Sequence, residues 1–135
     1  MTHHSAGLLD TSVFIAREQR RTLKEPPLRA SVSVITVGEL HLGVLSAPDG
    51  ESRARRAMTL ALARTMDAVP VTEWVIDEWA RLVEACRQAG YLAAVKRMDS
   101  FVAATAIALG VPVVTQDNDF DRMASACPAL DVVKV

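Results

Sequence analysis

The sequence has few cysteines and few aromatic residues, and it contains no long apolar run. Cys86 and Cys127 are the only cysteines among 135 residues, which argues against a disulfide framework and is typical of free thiols in a reducing cytoplasm. No apolar segment approaches the roughly 20 residues of a membrane-spanning helix. The start, MTHHSAGLLDTS, lacks a basic region followed by a long apolar one. We therefore expect no signal peptide, no membrane association and a cytoplasmic location.

The chain also lacks the residue patterns of several functional classes. Its three histidines form no recognisable catalytic triad, and no Cys/His spacing suits zinc. A haloacid-dehalogenase-type phosphatase would carry a second aspartate two residues after Asp10, where Ser12 stands, and Ser12 has no nucleophile elbow around it. A receiver domain needs an acceptor aspartate near the middle of the chain, where only Asp67 is found. Any chemistry must therefore come from other residues.

Positive charge in this sequence is carried mostly by arginine. The formal net charge is −1, with twelve arginines and three lysines. Arginine binds phosphate through two parallel hydrogen bonds, so a phosphate-binding surface is one interpretation. A GC-rich genome that favours arginine codons is an equally good one. If metal neutralised four acids in one site, the rest of the protein would be modestly basic.

Short apolar segments alternate with helical patterns along the chain. Half of the residues are hydrophobic, and neither glycine nor proline is abundant, so we expect a single folded domain over residues 1–135. Continuous Val/Ile/Leu runs predict buried strands at 7–15, 30–35, 67–71, 111–115 and 130–135. Helical periodicity predicts helices at 36–46, 52–66, 73–89 and 99–109. This alternation predicts an α/β fold whose mostly parallel sheet is covered on both faces.

One predicted helix carries both tryptophans. Val75, Trp79, Val83 and Cys86 recur at helical spacing, so they form one stripe of the helix over 73–89. The pattern predicts that Trp79 lies in the core and that Trp74 is a partial anchor near the start of the helix.

Four acidic residues fall where a parallel sheet would expose its carboxyl edge. Asp10 follows Leu8-Leu9, Asp117 follows the run over 111–115, and Glu39 is expected in the first turn of a helix that follows a strand. Asp99 opens the helix over 99–109, and its side of the sheet stays open on pattern alone. Taken singly, Glu39 and Asp99 suit helix capping or dipole roles. Asp10 is different, because it interrupts a buried run and no basic residue lies nearby in sequence.

A cluster of these four carboxylates would be unstable by itself. At a separation of ~5 Å and an effective dielectric of about 20, each pair repels by roughly 3 kcal/mol. Such a cluster persists by taking up protons or divalent cations, and an all-oxygen donor set suits Mg²⁺ or Mn²⁺. The chemistry it supports is metal-assisted displacement at phosphorus.

Four blocks of the sequence together resemble a known family. They are LLDTSVFI, SVITVGEL, MDSFVAATAIALG and VVTQDNDFD, and they span nearly the whole chain. In order and separation they resemble the signature blocks of PIN-domain ribonucleases, above all the VapC toxins of type II toxin–antitoxin systems. The resemblance implies a three-layer α/β/α PIN-like fold. It also implies a Mg²⁺- or Mn²⁺-dependent endoribonuclease that cleaves RNA by metal-activated water.

The resemblance assigns roles residue by residue. The family's four catalytic, metal-binding acids match Asp10, Glu39, Asp99 and Asp117. Its small hydroxyl residues, which hydrogen-bond within the site, match Thr11, Ser12 and Thr115. Asp119 is a candidate ligand for a second metal, Asp121 is expected to cap the short helix DRMASA, and Arg97 is the best candidate for gripping the RNA backbone. One departure is Ser100, which stands directly after the third acid, where the family often has an aromatic residue; here Phe101 comes one position later.

The expected partners follow from the same resemblance, whereas the alternatives follow from the acidic pocket. We expect a cognate VapB-like antitoxin and a homodimer, with segments 17–24 and 52–66 as plausible contact surfaces. The alternatives are a metal-dependent DNA nuclease or phosphatase with the same acidic pocket, and a catalytically silent PIN-type binding module. Further candidates for RNA contacts are Arg17, Arg20, Arg21, Arg53, Arg55 and Arg56, although a solvated helix face explains most of them better.

Overall fold

The computed structural model describes residues 5–25 and 27–135, so His3 and His4 lie outside the described residues. The strands are β1 (Ala6–Leu9), β2 (Arg29–Val32), β3 (Val113–Thr115) and β4 (Val132–Lys134). The helices are α1 (Thr11–Glu18), α2 (Val34–Leu45), α3 (Gly50–Arg64), α4 (Glu73–Gln88), α5 (Arg97–Leu109) and α6 (Asp121–Ala126). Among the described residues, no helix is long and apolar enough to cross a membrane.

The four strands form one parallel sheet in the order β2-β1-β3-β4. In the central pair, Leu8 lies opposite Val113 and Leu9 opposite Val114. The chain leaves β1 toward β2 on one side, whereas β3 is followed by β4 on the other. The strand order therefore reverses between β1 and β3, and the crevice at their carboxyl ends is where open α/β sheets bind ligands.

Helices cover both faces of this sheet. Leu8 and Val113 are fully buried in a cluster with residues of α4, α5 and α6. Leu9 and Val114, whose side chains point the opposite way because strand residues alternate, pack with residues of α1, α2 and α3. Two apolar layers thus enclose a parallel sheet, and the predicted three-layer α/β/α fold is confirmed.

Two strand predictions were wrong. The run over 7–15 is divided: the strand ends at Leu9, and α1 begins at Thr11 with Asp10 as its N-cap. The Asp10 carboxylate accepts the backbone N–H of Ser12, which satisfies a donor that would otherwise be free at the helix start. The predicted strand over 67–71 is reduced to a single bridge between Val69 and Ser33. Pro70 has no N–H, so it cannot continue the ladder.

Three further positions differ from expectation. Because α2 begins at Val34, Glu39 lies in its second turn rather than its first. Helix α5 begins at Arg97, so Asp99 lies inside its first turn instead of opening it. The prediction that Asp121 caps α6 was wrong, because Asp121 is the first helical residue and pairs with Lys134 at 3.0 Å.

The tryptophan predictions were only partly correct. Trp79 is partly buried and packs at the edge of a small cluster formed by α4 and α5, while Leu82 of the same helix is fully buried. Trp74, predicted as a partial anchor, is 62% exposed.

Candidate active site

An acidic pocket opens at the carboxyl ends of β1 and β3. It has a volume of about 310 Å³. Five carboxylate residues, two basic residues and three others line it: Asp10, Glu39, Asp99, Asp117, Asp119, Arg21, Lys96, Thr11, Ser12 and Ile15. The acids come from the end of β1, from α2, from α5 and from the loop after β3. The four acids that the sequence pointed to, and Asp119, therefore line one pocket.

Asp10 is the most deeply buried of these acids and is held on two sides. It is 4% exposed, and its Oδ2 accepts hydrogen bonds from the Thr115 hydroxyl at 3.0 Å and the Ser12 backbone N–H at 3.4 Å. Its own backbone N–H donates to the carbonyl of Val114 at 2.9 Å. Burial without partners would be costly, so these bonds explain how a carboxylate can sit inside an apolar run.

The hydroxyl groups of Ser12, in the first turn of α1, and Thr115, at the end of β3, link these two elements. Their oxygens lie 3.0 Å apart. Thr115 has one proton, which Asp10 accepts, so Ser12 must be the donor between the two hydroxyls. Thr115 also accepts the backbone N–H of Asp117, and Ser12 accepts that of Gln116, each at 3.0 Å. The network thus ties the loop that carries Asp117 to the buried carboxylate of Asp10.

Glu39 and Asp117 complete two walls of the pocket. Glu39 accepts a 2.8 Å hydrogen bond from the Thr11 hydroxyl. Burial is the largest cause that raises the pKa of Glu39; the charge of Asp10 adds to it, while the Thr11 bond opposes it. The pKa of Asp117 is also raised, first by partial burial and then by the charges of Asp10 and Asp119. Burial and the charge of Asp10 thus raise the pKa of both carboxyl groups.

Asp99 is the most perturbed acid in the pocket. Burial, followed by the charges of Asp10, Asp119 and Glu39, raises its pKa from 3.8 to about 7. Its Oδ2 is inaccessible to solvent and has no hydrogen-bond partner among the described residues. A buried oxygen of this kind is normally satisfied by a donor, a water or an ion.

Two basic residues line the pocket beside the acids. Lys96 pairs with Asp119 at 2.9 Å, and this bond raises the pKa of Lys96. Arg21 follows Arg20, whose φ of 58° lies in the left-handed region and turns the chain back at the end of α1. Five carboxylates face these two cations, so the pocket keeps net negative charge. Arg97, the predicted RNA contact, is exposed at the start of α5 and is not among the lining residues.

The donor set of the pocket fits a divalent cation. Within residues 5–25 and 27–135, no three histidine, cysteine or carboxylate side chains lie close enough together to hold a metal ion, so the acids share the pocket without converging on one point. Carboxylate oxygens are nevertheless the donors that Mg²⁺ and Mn²⁺ prefer. The buried, unpartnered Oδ2 of Asp99 is the atom that most needs a positive ligand. If a cation binds in this pocket, the acids available to hold it include Asp10, Glu39, Asp99 and Asp117.

Of the two basic residues of the pocket, sequence reasoning missed Lys96 and named Arg21 only as one of several arginines that could contact RNA. Lys96 stands three positions before Asp99, and Arg21 follows the first helix by a short turn. The proximity of Lys96 to an acid at a helix start was visible in the sequence, whereas the turn at Arg20 was not. A left-handed conformation at a residue other than glycine has no sequence signal here.

Comparisons with known proteins agree with this architecture. The family model described as PIN domain matches residues 7–126. Ribonuclease VapC8 of Mycobacterium tuberculosis is 56% identical over 100 residues, covering 74% of this chain and 89% of that protein. Ribonuclease VapC5 of the same species is 38% identical over 136 aligned positions, covering 99% and 98%. The crystal structure of VapBC-5, a member of the VapBC family of toxin–antitoxin systems from M. tuberculosis, matches with a TM-score of 0.88 and 37% identity, covering 97% of this chain and 99% of that one.

Fold, site and similarity together define the class of protein. The chain belongs to the PIN-domain family. Within that family its relatives are VapC proteins, so the resemblance drawn from the four sequence blocks is confirmed.

Proposed function

We propose that this protein is a divalent-metal-dependent endoribonuclease and the toxin of a type II toxin–antitoxin pair. The observation that carries the proposal is that acids from four separate parts of the chain line one pocket at the carboxyl edge of the sheet. The ribonuclease names of its relatives support the choice of RNA as substrate.

The proposed catalytic residues are Asp10, Glu39, Asp99 and Asp117, with Asp119 as a further metal ligand. Mg²⁺ or Mn²⁺ held there would supply Lewis-acid chemistry, lowering the pKa of water and stabilising charge on the leaving oxygen. The protein contributes the arrangement of the acids. Thr115 and Ser12 orient the carboxylate of Asp10, and Thr11 orients that of Glu39.

Lys96 and Arg21 are proposed to hold the RNA backbone beside these acids. Both line the pocket and both are exposed; Lys96 is paired with Asp119 and would have to share or exchange that partner to contact a phosphate. Cations at the rim would offset the repulsion between an anionic substrate and an acidic pocket. Arg97 is exposed at the start of α5 and remains a candidate for an adjacent phosphate.

Because aromatic residues make up only 4% of the chain, base stacking contributes little and RNA shape is expected to govern specificity.

The decisive experiment is cleavage of total cellular RNA by purified protein with Mg²⁺ or Mn²⁺, repeated with EDTA. Asp10→Asn and Asp99→Asn should each abolish cleavage. The matched control is Asp77→Asn, because Asp77 is an exposed aspartate on α4 outside the pocket. Attack by water predicts 5′-phosphate and 3′-hydroxyl ends, which ligation of the products to an adaptor detects.

Two other outcomes correspond to the alternatives. Cleavage of single-stranded DNA of matched sequence at an equal rate, or hydrolysis of a phosphomonoester alone, would replace the ribonuclease proposal with a DNA nuclease or a phosphatase. RNA binding without cleavage under every metal condition would indicate a silent binding module.

The partners are proposed as a cognate VapB-like antitoxin and a second copy of this chain. The VapBC-5 structure carries the name of a toxin–antitoxin system and covers almost the whole chain, which supports the first. Co-expression with the neighbouring reading frame and affinity capture should recover a small partner. Light scattering of the isolated toxin should give twice the 14.6 kDa chain mass. A lone monomer in both experiments would contradict these two proposals without touching the catalytic one.

A further inference from the structure

Trp79 of α4 makes a hydrogen bond to the residue that follows Asp99. Its indole N–H donates to the hydroxyl of Ser100 at 2.9 Å, and that hydroxyl donates in turn to the backbone carbonyl of Arg97 at 2.6 Å. Ser100 is 2% exposed, so bulk solvent has little access to either bond. The hydroxyl therefore links the first turn of α5 to a neighbouring helix.

The same tryptophan contacts the next residue as well. The rings of Trp79 and Phe101 are stacked, with centroids 5.1 Å apart and planes inclined by 14°. Aromatic pairs at this separation add stabilisation beyond the area that they bury. Trp79 thus holds two consecutive residues, Ser100 by a hydrogen bond and Phe101 by stacking. Both follow Asp99 directly, so the backbone of Asp99 is fixed from its C-terminal side.

The orientation of the Asp99 side chain depends on the position of its backbone more than that of Asp10 or Glu39 does. Asp10 and Glu39 receive hydrogen bonds from hydroxyl groups on their own carboxylates. The buried Oδ2 of Asp99 receives none within the described residues. Helix α5 also begins without a side-chain cap, since its N-cap residue Lys96 makes no such bond. The direction of the Asp99 carboxylate is therefore set by how firmly the first turn is held.

We infer that Trp79 is a positioning residue for the metal-binding carboxylate of Asp99 and acts through Ser100. The inference rests on the proposed function, because it presumes that Asp99 holds a divalent cation. Trp79 itself does not line the pocket, so its effect on a bound cation would be indirect. Its indole N–H fixes the turn from which Asp99 projects, and the ring stacked on Phe101 keeps the turn against α4.

The primary test compares Trp79→Phe with Trp74→Phe. Phenylalanine keeps an aromatic ring for stacking but removes the N–H, so it deletes the bond to Ser100. Trp74 lies on the same helix and is 62% exposed, which makes it the matched control. Calorimetric titration with Mn²⁺ should show about tenfold weaker binding for Trp79→Phe, the size of effect found when groups that orient metal ligands are removed. Trp74→Phe should bind as the wild type does.

A double-mutant cycle with Ser100→Ala tests the route of the effect. If Trp79 acts through the Ser100 hydroxyl, Trp79→Phe and Ser100→Ala should weaken Mn²⁺ binding by similar factors. The double variant should then be no worse than either single one. RNA cleavage at saturating metal should fall in kcat with an unchanged KM for RNA. Thermal unfolding measured in parallel separates this effect from a loss of folded protein.

A second readout does not depend on catalysis. In the Trp74→Phe background, Trp79 is the sole tryptophan of the chain, because the sequence contains two. Mg²⁺ should change its fluorescence, and Asp99→Asn should remove that change. Additive losses in the cycle, or equal Mn²⁺ affinity of Trp79→Phe and the wild type, would overturn the inference and leave the proposed function standing. Failure of the wild type to bind Mn²⁺ at all would overturn both.

Discussion

Replacing Asp99 by asparagine should stabilise the metal-free protein at neutral pH, although it removes a proposed catalytic group. Burial and the neighbouring charges of Asp10, Asp119 and Glu39 raise the Asp99 pKa from 3.8 to about 7. That difference corresponds to about 4 kcal/mol of unfavourable free energy for the ionised form. Asp99 is only half-buried and solvent screens part of the repulsion, so we expect ~1–2 kcal/mol in practice. Asparagine keeps the shape of the side chain and removes the charge.

The pH dependence has a definite sign. The folded state binds a proton at Asp99 more tightly than the unfolded state does, because the folded pKa is the higher one. The stabilising effect of protonation is complete below the unfolded pKa of 3.8 and is lost as pH rises toward about 7. The advantage of Asp99→Asn over the wild type should therefore be absent near pH 4, grow across this window and stay constant above it.

Urea unfolding in EDTA at a series of pH values measures this difference, with Asp77→Asn as the exposed control on α4. Excess Mg²⁺ should then stabilise the wild type more than Asp99→Asn, because the cation relieves the repulsion that the variant lacks. A variant less stable than the wild type at pH 8, or an advantage independent of pH, would refute the electrostatic reasoning.

Three further predictions concern other parts of the molecule. Thr115→Val keeps the side-chain volume but deletes the hydroxyl that holds Asp10 and Asp117; we expect ~1–3 kcal/mol lower stability by urea unfolding and at least about tenfold slower RNA cleavage. Lys96→Gln should weaken RNA binding and reduce its salt dependence by about one phosphate contact, measured by filter binding against Lys24→Gln, an exposed lysine outside the pocket. Phe120→Ala empties a fully buried site between β3 and α6 and should cost about 3–5 kcal/mol in the same unfolding assay.

The arrangement of a sheet between two helical layers could be predicted from the sequence because the strands are buried on both faces. Val113 and Val114 point to opposite helical layers, yet both positions must be apolar, so the run stands out at once. Residues 67–71 carry a similar run, but Pro70 removes a ladder donor and leaves only the bridge at Val69. The alternation of strand and helix survives such errors, because one lost edge strand does not change which faces are covered.

At Asp10 the predicted element boundary was wrong, although the residue itself lines the pocket as expected. The apolar pattern continues from Leu9 through Val13 and Phe14, so periodicity alone extends the strand. The side-chain bond from Asp10 to the Ser12 N–H starts a helix instead. Asp10, which broke the pattern, was singled out because a buried carboxylate requires an explanation, and it lines the acidic pocket. Lys96 was not singled out, and Arg21 was named only among several arginines, since exposed basic residues are common.

The acids of the pocket differ in how well the protein's own hydrogen bonds satisfy their carboxylates. Asp10 is satisfied by Thr115 and Ser12, and Glu39 by Thr11, so both carboxylates are already oriented by the protein. Asp99 has a buried oxygen without a donor among the described residues. A bound cation would thus change the energy of Asp99 most, because the other two exchange one favourable partner for another. For this reason we expect substitution of Asp99 to have the clearest effect on the stability of the metal-free protein. We also expect Trp79 to affect metal binding mainly through Asp99.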